Sequence, residues 1–88
     1  MIKTLRSKGH RALIAVLVAT RRESKLTQRQ VAERLKKPHS YISKIETGER
    51  RMDVVEFTAI ARAMKVSPVM LYERFIAWEK VGRDRLPE

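Results

Sequence analysis

An 88-residue chain that is 43% hydrophobic has room for one modest domain and too much apolar content to stay disordered. With no cysteine, disulfides and thiolate metal sites are excluded, and two histidines, His10 and His39, do not make a zinc centre. The net charge of +10 lies wholly in residues 1–51, where 14 Lys or Arg face four acids, while residues 52–88 balance six against six; charge segregated in this way attracts polyanions.

Residues 1–6 read as a basic N-terminal arm, residues 7–81 as one all-α domain, and residues 82–88 as a polar tail that frays. The first helix is expected from Ser7 or Lys8 to Ser24, with Leu13, Ile14, Leu17 and Val18 as its apolar stripe. Thr27-Gln28-Arg29-Gln30 is a capping box that opens the second helix, and Val31, Ala32 and Leu35 face inward from it. Lys36-Lys37 is a turn. The third helix starts at Pro38, a residue suited to the first helical position, and stops at Gly48 after Thr47. Ile42 and Ile45 fall on one side of it; at 100° per residue Ser40, Ser43, Lys44 and Thr47 fall on the other. Asp53 and Glu56 cap a fourth helix that buries Phe57, Ile60, Ala61 and Met64. Ser67-Pro68 opens a fifth, which runs to about Val81 with Leu71, Phe75 and Trp78 as a stripe that closes the core.

The start of the chain imitates a signal peptide, with basic residues followed by the apolar run Ala12 to Ala19. That run is short, and Arg21, Arg22 and Glu23 follow at once, so we expect no export and a cytoplasmic, nucleoid-associated protein. No segment reaches the ~18 apolar residues that span a bilayer, so no membrane partner is expected. The chain has no glycine-rich phosphate loop, paired-carboxylate pocket or nucleophile beside a base. Neither catalysis, a cofactor, a metal nor a small-molecule ligand is therefore expected.

Residues 27–48, TQRQVAERLKKPHSYISKIETG, form two short helices joined by a tight turn, the second with an apolar back and a small polar front. A helix of that kind fits the major groove of B-DNA. The segment LTQRQVAERL, the turn and SYISKIETGERR resemble the helix-turn-helix of the lambda-repressor/Cro-like (Xre) family, and VVEFTAIARAMKVSP is similar to that family's fourth helix and following turn. The likeness covers roughly residues 10–72, through Thr27, Gln28, Ala32, Ile42, Ser43, Ile45, Glu46, Gly48, Ile60 and Ala61. It implies a five-helix fold with the helix-turn-helix at helices 2 and 3. By the same resemblance His39, Ser40, Ser43 and Lys44 occupy base-contacting positions, with Lys44 suited to guanine O6 and N7. Gln28 is implied as a phosphate contact; Arg29, Lys37, Thr47, Arg50 and Arg51 are further candidates for that role. Arg21 and Glu46 match a pair that forms a salt bridge in relatives. Lys25, Lys36 and Lys65 stand where relatives usually have glycine at helix ends, in backbone geometry that costs ~1 kcal/mol for a residue with a Cβ.

The fifth helix carries apolar residues over most of its circumference. Met70, Tyr72, Ile76, Ala77 and Val81 are the expected homodimer interface, with the arm as a second contributor. The expected function is sequence-specific binding of double-stranded DNA by a dimeric regulator of repressor type. Two rivals remain open: an antitoxin-like or protein-recruiting module in which DNA is secondary, and a non-specific binder of nucleic acid driven by charge.

Overall fold

The computed structural model describes residues 7–85; the basic arm of residues 1–6 and the last three residues of the tail lie outside the described residues. Five helices follow one another: α1 (Lys8–Glu23), α2 (Gln28–Arg34), α3 (His39–Thr47), α4 (Val54–Ala63) and α5 (Pro68–Arg85). The starts are set by side chains that accept the orphan N–H groups of the first turn. Ser7 accepts from the His10 N–H at 3.1 Å. Thr27 with Gln30, and Asp53 with Glu56, close full capping boxes. Two boundaries differ from expectation. Pro38 caps α3 instead of joining it, with extended backbone at ψ 152° and no side-chain bond. The fifth helix continues past Val81 to Arg85, four residues into the stretch expected to fray.

The helix ends rest on a shared device. Lys25, Lys36 and Lys65 have φ of 59°, 58° and 62°, the left-handed region expected of them. Each closes a paired C-terminal motif. After α2, for example, Lys37 N–H donates to Ala32 O at 2.9 Å and Lys36 N–H to Glu33 O at 3.0 Å. Gly48, at φ 84°, ends α3 without that strain. Lys36→Gly should therefore stabilise the fold by about 0.5–1 kcal/mol, a rise of several degrees in a chain this short. Thermal denaturation checks it, and a lower midpoint would contradict the strain.

The core joins all five helices through Val16, Leu17, Val31, Ala32, Ile42, Ile45, Phe57, Ile60, Ala61, Met64 and Leu71. Ala32 is fully covered where α2 crosses α3, as a close crossing requires. The buried line of α1 is Val16, Leu17 and Thr20, with Ile14 and Val18 only half-buried. The expected stripe missed Val16 because α1 packs against both α3 and α5 and the line passes through a polar residue. Thr20 is tolerated there because its hydroxyl accepts from Arg74 Nη1 at 2.8 Å. The same guanidinium grips Glu23 at 2.6 and 2.8 Å, joining α1 to α5. Trp78 does not close the core. It stays 40% exposed, with the Arg74 guanidinium 5.9 Å from its ring centre.

Candidate nucleic-acid interface

Helix α3 is held from behind by three kinds of contact. Ile42 and Ile45 are 3% and 1% exposed, so the helix cannot roll without exposing them. Ile45 is among the largest fully buried side chains. On one flank Glu46 meets Arg21 in a two-pronged salt bridge, with Nε donating to Oε2 at 2.6 Å and Nη2 to Oε1 at 3.0 Å. Both side chains are mostly covered, at 12% and 9% exposure. Arg21 also donates from Nη1 to Leu26 O at 2.9 Å. One guanidinium thus fixes α1, the loop before α2, and α3 relative to one another.

Gln28 joins this network. Its Nε2 donates to Glu46 Oε1 at 2.8 Å, which spends one of the two amide hydrogens expected to serve a phosphate. Beside it runs an open cleft lined by Arg21, Arg22, Lys25, Leu26, Thr27, Gln28, Arg29 and His39. Arg22 and Lys25 were not among the phosphate candidates. They flank the capping box in sequence, and their place in the same basic run was the signal that could have found them.

The outward side of α3 presents His39, Ser40 and Lys44, all exposed, with Ser43 half-buried. The Ser43 hydroxyl donates to Ser40 O at 3.2 Å, a long bond that a rotor gives up readily when a better acceptor arrives. Thr47 is less free. Its hydroxyl contacts Lys44 O at 3.2 Å and Glu49 Oε2 at 2.9 Å. The Glu49 carboxylate thus stands where a phosphate at Thr47 would come, which makes Thr47 the poorest fit in the predicted phosphate set. Arg29, Lys37 and Arg51 are exposed, as a backbone contact requires.

Arg50 is more constrained than a solvated cation. Its Nη2 donates to Glu56 Oε2 at 2.9 Å and its Nη1 to Arg51 O at 2.8 Å. The Arg50 guanidinium, and after it the Asp53 backbone N–H, hold the Glu56 carboxyl down at a pKa of about 2. Burial first, then the neighbouring Glu56, push the Tyr41 hydroxyl above its ordinary value.

The five proposed interface residues of α5 are all exposed, yet they do not share a face. At 100° per residue Val69, Tyr72 and Ile76 fall within about 60° of arc on one flank of the Leu71 line, and Met70, Ala77 and Val81 within about 40° on the other. Contacts agree with that division. Tyr72 and Val54 line one mostly apolar groove of about 110 Å3 together with Leu13, Met52, Asp53, Phe57 and Phe75, while Arg74 turns toward Thr20 and Glu23. Val54 and Val55, 77% and 76% exposed at the start of α4, were not among the expected interface residues.

A buried helix pair with a tethered second member, a basic surround and a polar outward face defines a helix-turn-helix domain. Residues 17–71 match the model of the Helix-turn-helix family. The chain is also similar to a solved structure described as an XRE-family like protein from Pseudomonas syringae pv. tomato str. DC3000. That likeness has 36% identity and a TM-score of 0.77, and covers 85% of this chain and 92% of that one. No curated protein matches. The chain belongs to the Xre-type helix-turn-helix family and is a DNA-binding domain of transcription-regulator type. Among the described residues no helix is long and apolar enough to cross a membrane.

Proposed function

We propose that this chain reads a specific sequence in duplex DNA, as a homodimer, and regulates transcription by occupying an operator in the manner of a repressor. In this reading α3 lies in the major groove, and His39, Ser40, Ser43 and Lys44 meet base edges. Gln28, Arg29, Lys37, Arg50 and Arg51 meet phosphates and set register. The observation that carries it is the anchoring of α3. With two isoleucines buried and Glu46 tied to Arg21 and Gln28, the helix has one orientation, and in that orientation Ser40 and Lys44 face solvent.

The dimer is assigned to the flank of α5 that continues into the start of α4. Val54, Val55, Val69, Tyr72 and Ile76 are 42–77% exposed. Paired across a two-fold axis, such a set hides on the order of 1,000 Å2, the lower range for a specific interface. The stripe begins three residues after Arg51, so pairing there brings the DNA-facing sides of two copies together.

Selection of bound duplexes from a random pool tests the reading. A palindromic site is expected, preferred over random duplex by ~10³ or more. Lys44→Ala should erase about 10- to 100-fold of that preference at one position per half-site while leaving random duplex almost untouched. Equal affinity for selected and random duplex at moderate salt would overturn sequence reading and leave a charge-driven binder.

A further inference from the structure

One cluster of side chains is not explained by anchoring α3 or by reading bases. Tyr41 is half-buried on the flank of α3 away from Glu46 and packs against the core. Its ring gathers two cations from separate loops. The Arg50 guanidinium carbon, from the loop after α3, lies 4.7 Å from the ring centre. The Lys37 Nζ, from the turn before α3, lies 5.3 Å from it. Both fall within the ~6 Å over which an aromatic face attracts a cation.

Its bonds to Glu56 and Arg51 O account for the place of Arg50, but folding alone does not call for Lys37 at the same ring. Like charges brought to one ring repel, and the nearby carboxylate, Glu56, is taken by Arg50. Lys37 has no carboxylate partner among the described residues, so its ammonium is unneutralised. An aromatic face holds a cation without using its N–H groups, so those of Lys37 stay available to an acceptor, as do the three that Arg50 does not spend on Glu56 and Arg51 O. Tyr41 sits between the two loops that bracket α3, on the opposite flank from the cleft of Arg22, Lys25 and Arg29. A helix lying in a groove has one phosphate strand on each side. The cleft supplies cations for one strand, and the other needs a counterpart.

We propose that Tyr41 is a positioning residue that holds Lys37 and Arg50 as a two-cation clamp on the phosphate strand opposite the Arg21–Gln28 cleft. The inference rests on the duplex-binding reading above and deepens it. The ring contributes no base contact. It limits the wandering of two long side chains, so that less motion is lost when phosphates arrive.

The test uses the full chain and two duplexes, one selected and one random, titrated across a salt series, with melting followed in parallel. Tyr41→Leu should weaken both duplexes alike, by about tenfold, and make the slope of log K against log salt shallower by about 1 to 2. Tyr41→Phe should keep wild-type affinity and slope, because it keeps the ring. An unchanged slope in a folded Tyr41→Leu chain overturns the clamp. So does a loss confined to the selected duplex, or a Tyr41→Phe chain that behaves like Tyr41→Leu. Should Tyr41→Leu fail to fold, the exposed substitution Lys37→Met decides, since it must make the slope shallower by about 1 on both duplexes. Failure of the duplex-reading proposal appears elsewhere, as a wild-type chain with no preference for the selected site.

Discussion

Glu46→Ala is expected to lower unfolding stability by about 3 kcal/mol, and the melting midpoint by on the order of 15 °C. The reason is what the substitution leaves behind. Arg21 is 12% exposed and loses both carboxylate bonds, keeping only the Leu26 carbonyl. A covered charge without its counterion costs far more than a surface pair is worth. Gln28 loses its acceptor at the same moment, and its amide is no longer held beside α3. Glu46→Gln keeps an acceptor and should lose less. Thermal denaturation monitored by circular dichroism is the measurement. A loss under about 1 kcal/mol would mean that solvent screens the pair, and that α3 is held by its isoleucines alone.

The second large effect concerns assembly. Tyr72→Glu together with Val55→Glu is expected to convert the proposed dimer to monomers in light scattering. It should weaken binding to a duplex with two half-sites by about 10²- to 10⁴-fold, the gain that linking two binding events supplies. Binding to a single half-site should fall far less, because neither residue lies on α3, although Val55→Glu sets a carboxylate four residues from Arg51. Ala77→Glu, on the opposite flank of α5, should leave the dimer intact. Loss of the dimer with Ala77→Glu, and its survival in the double variant, would move the interface to the Met70, Ala77 and Val81 stripe.

All five helices could be read in the sequence because four starts have side-chain caps, from Ser7, the Thr27 and Asp53 boxes, and Ser67 before Pro68, and Pro38 marks the remaining one. Lysines in left-handed geometry were legible only through the family resemblance, since lysine itself gives no hint of a positive φ. The outward residues of α3 followed from the two isoleucines and the helical repeat. What stayed hidden depends on distant partners. Arg74 reaches residues 51 and 54 positions away, and no local pattern announces that. Arg34 likewise donates to Ala63 O at 2.6 Å, tying α2 to the end of α4. The partition of α5 into two flanks was available from the 3.6-residue repeat, but an apolar count around the helix conceals it. Gln28 could be placed, but its partner could not, because Glu46 lies 18 residues on.

The grip of Arg74 on Thr20 and Glu23 has a consequence for the birth of the protein. Helix α1 has its most extensive contact with α5, so the earliest helix of the domain to be synthesised must wait for the latest before it finds its main companion. Until residue 74 emerges, Thr20 lacks its donor and one side of α1 is bare. Closure is then a late step in making the domain, and a nascent chain interrupted before α5 would be sticky and short-lived.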